Sequence, residues 1–282
     1  MMRHIVLLMT LAVGLAGCGQ NQVERGPSAQ EQAVREEKAV KAIKALGGFV
    51  MRANLPGHPI FAVDLDRTKA VDADLEYLKD LKELKTLMTL NLFGTQITDA
   101  GLKDFKELQG LRYLDLSDTQ ITDAGLKKLK ELKGLQDLNL SYTQITDAGL
   151  KELRELKGLQ WLDISNTQIT DAGLKELREL KGLRHLALQN TQITDAGLKE
   201  LKGLQTLNLY GTHITDAGLK ELKELKGLQA LDLGSTQITD AGLKYLKELK
   251  GLQILNLSVT KITDAGLKDL MQALPEIEGS GP

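Results

Sequence analysis

The octet TQITDAGL stands letter for letter at residues 95–102, 119–126, 143–150, 167–174, 191–198 and 236–243, with near-copies THITDAGL at 212–219 and TKITDAGL at 260–267. A hydroxyl, a carboxylate and a glycine at fixed spacing invite two readings, chemistry repeated eight times or scaffolding. The isoleucine falls at Ile97, Ile121, Ile145, Ile169, Ile193, Ile214, Ile238 and Ile262, a step of 24 residues except for 21 between Ile193 and Ile214. A fixed period of this length marks a stack of identical units.

Upstream of each octet lies a second constant element. It reads LRYLDL from Leu111, LQDLNL from Leu135, LQWLDI from Leu159 and LRHLAL from Leu183, with similar segments from Leu87, Leu204, Leu228 and Leu252. Ile60 begins a divergent first copy, which makes nine. In 111–120, Leu111, Leu114 and Leu116 point inward while Tyr113, Asp115 and Ser117 alternate outward, the period-two pattern of a strand. Ile121 closes the core, and Leu126, Leu129 and Leu132 predict a helix that Gly134 ends. Lys127 and Glu131 stand at i, i+4 on its solvated face.

The apolar helix positions are three apart, and this explains the irregular repeats. The copy at Ile193 lacks one three-residue unit (LKELKGL from Leu198 against LKELRELKGL from Leu174), and the first copy, LEYLKDLKELKTL from Leu75, has one extra. Each change keeps the leucines inward. Strands pack about 4.8 Å apart and helices about 8–10 Å apart, so strands on one side and helices on the other bend the stack. The pattern predicts an α/β solenoid, a right-handed β-α superhelix of about nine 24-residue repeats. Its parallel sheet lies on the concave face, with an inner arc of roughly 40 Å, and its helices on the convex face.

Within that frame ITDAGL reads as helix capping. Thr98, Thr122, Thr146 and Thr170 are placed as N-caps. Asp99, Asp123, Asp147 and Asp171 follow in the first turn, facing the positive end of the helix dipole. The glycine suits close packing. Asp74 replaces it in VDADL, as fits an end repeat without a neighbour on one side. A cation site needs several oxygens converging on one ion. One capping carboxylate per repeat does not converge, so no metal or cofactor is expected.

Variation concentrates on the concave face. The outward position two after the first leucine reads Thr89, Tyr113, Asp137, Trp161, His185, Thr206, Ala230 and Ile254, and neighbouring outward positions add Phe93, Tyr142, Gln189, Asn190 and Tyr210. Aromatic residues grouped on a rigid face point to a partner site, with Phe93, Tyr113, Asp137, Tyr142, Trp161, His185, Gln189 and Tyr210 as its candidate residues. Neutral drift at unconstrained positions is the alternative. A second column, Asn91, Asp115, Asn139, Asp163, Ala187, Asn208, Asp232 and Asn256, never places Asp on adjacent strands, which predicts a ladder of amide donors and carboxylate acceptors, with a sugar or cation groove as the lesser alternative.

Charge and composition narrow the function. A net charge of -2 and a pI near 6.1 give no basic footprint for nucleic acid. The sequence carries no HExxH, P-loop or GxSxG motif. Past the leader, His58, His185 and His213 are scattered, and Asp163 with His185 on the neighbouring strand lacks a nucleophile. No catalytic residue is assigned and the chain is read as a monomeric non-enzyme.

At the N-terminus, Arg3 and His4 precede an apolar run from Ile5 to Ala16, too short to span a bilayer and suited to a signal peptide over residues 1–17. Leu15-Ala16-Gly17-Cys18 resembles the lipobox of bacterial lipoproteins, which implies lipidation of Cys18, the single cysteine. Gly19-Gln20 lacks the aspartate that favours inner-membrane retention, so an outer-membrane place in the cell envelope is expected. Residues 18–30 read as a flexible tether, 31–59 as an N-terminal helix and hairpin cap, 60–274 as the repeat domain and 275–282 as a disordered tail.

The repeat LxxLxLxxTxITDAGLKEL resembles leucine-rich repeat proteins of the ribonuclease-inhibitor-like and cysteine-containing group, with Thr where the latter has Cys. The LGG helix end and the PGHP turn are similar to the N-terminal module of bacterial members. The resemblance implies a scaffold for an unidentified protein or peptide partner, held at the membrane through the lipid. A structural spacer without a ligand is the alternative, and a substrate-recognition role of the F-box kind, without an F-box here, is a remote one.

Overall fold

The computed structural model describes residues 28–54, 58–82 and 86–280. The leader, Cys18, the tether up to Pro27 and the Leu55-Pro56-Gly57 part of the expected turn lie outside the described residues.

The first helix spans Ala29–Ala45, two residues earlier than expected. Ser28 is the reason. Its hydroxyl accepts the Glu31 N–H at 3.3 Å while the Glu31 carboxylate accepts the Ser28 N–H at 2.7 Å, a reciprocal cap written in the sequence as Ser-x-x-Glu. Ala39 and Ile43 are its buried face, and Gly47 ends it at φ 91°. Strand β1 (Phe49–Arg52) then pairs antiparallel with β2 (Ile60–Asp64).

From β2 the sheet grows one strand per repeat, in parallel and in sequence order: β3 Thr89–Asn91, β4 Tyr113–Asp115, β5 Asp137–Asn139, β6 Trp161–Asp163, β7 His185–Ala187, β8 Thr206–Asn208, β9 Ala230–Asp232 and β10 Ile254–Asn256. The nine parallel strands β2–β10 are the nine expected repeats. The stretch expected to be a disordered tail instead adds β11 (Glu278–Ser280), parallel to β10, with Ile277 buried beneath it. This extra strand satisfies backbone groups on the open edge of β10.

Each repeat closes one apolar layer. Leu111, Leu114, Leu116, Ile121, Leu126, Leu129 and Leu132 are each at most 1% exposed. The helices are shorter than a fully α-helical reading of the pattern implies. The α segment in this repeat is Asp123–Leu129, and the chain then tightens into i→i+3 bonds, Leu132 N–H to Leu129 O at 2.8 Å and Leu135 N–H to Leu132 O at 2.9 Å. Leucines three apart match the three residues per turn of a 3₁₀ helix, and 101–107 is 3₁₀ throughout. The 21-residue repeat shortens its helix to Asp195–Leu198, against Asp171–Leu177 before it, as the three-residue unit requires.

On the convex surface the ion pairs run between repeats rather than within a helix. Lys133–Glu155 (3.1 Å), Lys157–Glu179 (3.4 Å) and Lys226–Glu248 (3.7 Å) link successive layers. They are exposed, so solvent screening leaves each a small contribution to stability. In the short repeat Glu200 is buried and paired with Arg178.

Candidate functional site on the concave face

ITDAGL is the device that makes the face rigid, though only half of it acts as expected. The threonine hydroxyl does cap: Thr122 Oγ1 accepts the Ala124 N–H at 3.2 Å and Thr146 Oγ1 the Ala148 N–H at 3.3 Å, with Thr170 alike. Thr98 accepts from Ala100 N–H at 3.2 Å in the same way, although its helical segment begins only at Gly101. The aspartate, assigned above to the dipole of its own helix, reaches into the next repeat. Asp99 accepts from the N–H (2.9 Å) and hydroxyl (2.6 Å) of Thr122, Asp123 from Thr146 and Asp147 from Thr170. Asp171 holds Thr194 in turn, and in the first repeat Asp72 holds Thr98. The glycine follows from this. A Cβ at Gly149 would collide with the Asp123 carboxylate. Asp74 replaces the glycine where no preceding carboxylate arrives, and accepts the Val71 N–H at 2.9 Å.

The first threonine of the octet is buried and its hydroxyl donates to the carbonyl three residues back, as from Thr119 to Leu116 and from Thr143 to Leu140. It closes a turn whose preceding residue is left-handed in every repeat. Arg67, Gly94, Asp118, Tyr142, Asn166, Asn190, Gly211, Ser235 and Val259 all have φ between 52° and 66°. No expectation above covers this fixed αL position. The recurrent Gly, Asn and Asp just before the octet are its signal.

The concave surface therefore has ordered columns. Strand pairing puts Tyr113, Asp137, Trp161, His185, Thr206, Ala230 and Ile254 directly beside one another. Tyr113 and Asp115 interact across the face, phenol to carboxylate at 3.2 Å. His185 Nδ1 lies 3.0 Å from Thr206 Oγ1. Phe93, Gln189 and Tyr210 share a further column, and Arg67 stacks on Phe93 at 5.0 Å. Tyr142 is not on the strand face. It occupies the left-handed turn at the rim, with its side chain turned to solvent and 58% of the residue exposed.

The Asn/Asp column is interrupted and more buried than the outward pattern suggests. Asn91, Asn139 and Asn256 each donate to the Asp of the strand before, Asp64, Asp115 and Asp232, at 3.0–3.2 Å. Among the described residues these bonds link pairs of strands rather than running on from strand to strand. The shared task of Asn and Asp is to accept the N–H two residues on: Asn91 from Phe93, Asp163 from Ser165, Asn208 from Tyr210. Ala187 has no such oxygen, and Ser165 Oγ of the neighbouring repeat accepts the Gln189 N–H instead at 3.2 Å. Asp115 and Ser117, expected to face outward, are 0% and 2% exposed because the crowded neighbours of a 4.8 Å ladder cover them.

This packing sets the electrostatics. Burial pushes the Asp163 carboxyl above its ordinary value, against the hydrogen bonds from Ser165 that hold it down. Asp64 is raised for the same reason. Burial, then the charge of Asp115, pushes the Tyr113 phenol up. Among the described residues no group of three or more His, Cys, Asp or Glu is placed to hold a metal ion, and no helix is long and apolar enough to cross a membrane.

A leucine-rich repeat region model matches residues 86–277. The chain belongs to the leucine-rich repeat family. Solved structures similar to it include an internalin of Listeria monocytogenes, 17% identical over 86% of this chain and 93% of that one with a TM-score of 0.51. A leucine-rich repeat protein of Leptospira interrogans is 26% identical over 72% of this chain and 57% of its own, with a TM-score of 0.53. Among curated proteins none matches. The leucine-rich repeat fold is generally a non-enzymatic platform for protein interaction.

Proposed function

We propose that this leucine-rich repeat protein is a non-enzymatic binding scaffold of the bacterial cell envelope, anchored by lipid on Cys18, that takes a protein or peptide partner on its concave face. The supporting observation is the column of Tyr113, Asp137, Trp161 and His185 on four consecutive strands. The fold needs no aromatic there, since Thr206 and Ala230 occupy the same position in other repeats. Large flat side chains on a preorganised face lose little conformational entropy on binding.

Capture of a partner by the wild type and a Trp161→Ala/Tyr113→Ala variant is the test. The variant is expected to lose the partner at least tenfold while its circular dichroism shows it still folded. Equal capture by both removes the concave site and leaves the spacer reading. A Cys18→Ser form is expected to leave the membrane fraction, and its continued partition there would sink the anchor.

A further inference from the structure

Charge on the concave face is one-sided. Among the described residues of its outward columns, Asp64, Asp66, Asp118, Asp137 and Asp163 crowd strands β2–β6 and their turns around the buried Asp115, against Asp232 on the other half. The guanidinium on that half is Arg67, stacked on Phe93. Arg112 and Arg184, which precede β4 and β7, turn onto the loop carbonyls of Gln109, Leu111, Lys181 and Leu183. Most lysines lie in the helical segments and the loops after them, while Lys69 and Lys261 sit in the turns between strand and helix. The helical face is mixed, with Lys and Glu paired between repeats, whereas the outward strand columns carry carboxylates with few cations. Burial is the main reason the Asp64, Asp163 and Tyr113 groups are raised, and the charge of Asp115 adds to each.

Within the acidic half, Asp137 is in register between Tyr113 on one side and Trp161 on the other. At roughly 4.8 Å per strand the two aromatic positions are about 10 Å apart. An ammonium or guanidinium between them lies within about 6 Å of either ring, the range of cation–π attraction. A carboxylate between two aromatic residues favours a cation over a neutral or anionic group.

We infer that the occupant of the concave face is a cationic extended segment of the partner protein, with one Lys or Arg seated between Tyr113 and Trp161 above Asp137. The inference rests on the concave-face reading above and names the chemistry of its partner. The run from Tyr113 to His185 covers three strand intervals, roughly 14 Å. About four or five extended residues bridge it at about 3.3 Å each. Association is therefore fast at low salt and weakens as salt is added.

Trp161 is the chain's single tryptophan, so its fluorescence reports on the site. The probes are an alternating Lys/Arg-Gly octapeptide, a Glu-Gly octapeptide and spermidine. A saturable change with the cationic peptide is expected, at least tenfold tighter than with either other probe and weakened at least tenfold between low and 0.5 M salt (about three Debye-length halvings from ~0.01 M). Asp137→Asn with Asp163→Asn is expected to weaken it at least tenfold more than Asp232→Asn, with thermal unfolding confirming that the variant folds. No saturable response to the cationic peptide, an equal response to the acidic one, or an unchanged Kd in the Asn variant overturns the inference. Equal binding of spermidine overturns the peptide in favour of a small polycation. A partner whose capture depends on Trp161 and Tyr113 while the cationic peptide is ignored sinks this inference alone; a partner captured without them sinks the concave-face reading itself.

Discussion

The carboxylate of Asp123 accepts two hydrogen bonds from Thr146 of the following repeat, 2.8 Å from its backbone N–H and 2.7 Å from its hydroxyl. The same joint recurs from Asp72 to Asp240 along the stack. It binds neighbouring layers in the turns between strand and helix, where the hydrophobic core alone leaves backbone groups to satisfy.

Asp123→Ala is expected to cost about 2–3 kcal/mol in urea unfolding, because the Thr146 N–H is left without its acceptor. Gly149→Ala is expected to destabilise by about 1–3 kcal/mol through overpacking against Asp123, although alanine is the better helix former. The double variant is expected to fall short of the sum, since removing the carboxylate makes room for the methyl. Strict additivity would show that the two residues are not in contact.

Val259 sits at φ 57° and is 70% exposed, among the described residues the one β-branched residue at a left-handed position that other repeats give to Gly, Asn, Asp, Ser, Arg or Tyr. Val259→Asn is expected to raise stability by about 1 kcal/mol, the scale of the left-handed penalty. An unchanged or lower urea midpoint would show that the strain is absent.

The folded pKa of Asp163 is raised above 3.8 by burial. The folded state therefore holds this proton more tightly than the unfolded chain. The resulting penalty is absent below pH 3.8, grows as pH rises through the folded value and is complete above it. Asp163→Asn is expected to stabilise the protein at neutral pH, with the gain vanishing as the pH approaches that of a free carboxyl. The Asn side chain still accepts the Ser165 N–H, as Asn139 does for Ser141. Thermal unfolding across this pH range checks the sign, and a pH-independent difference would contradict it.

Much of the architecture was legible because a repeat magnifies its own rules. Leu114 and Ile121 each recur at one position in copy after copy, and their period fixes the strand, the turn and the side facing the core. The missing three residues at Ile193 also announced a shorter helix. The two ends were less legible. Ser28 capped a helix from within a stretch read as tether, and Glu278–Ser280 joined the sheet from a stretch read as tail, because neither end has a second copy to compare.

By itself the sequence determined the layers, since burial of Leu and Ile at fixed spacing is a local pattern with one geometric solution. It also marked Tyr113, Trp161 and His185 as departures that the fold does not require. Only the tertiary structure decided where the polar groups of each octet go. Asp123 and Thr146 are 23 residues apart and meet through stacking, as Ser165 meets Gln189 in place of the missing side-chain oxygen at Ala187. Hydrogen bonds between successive repeats depend on rise and curvature, which no single repeat encodes, so the carboxylate that reads as a cap in one unit becomes the link to the next.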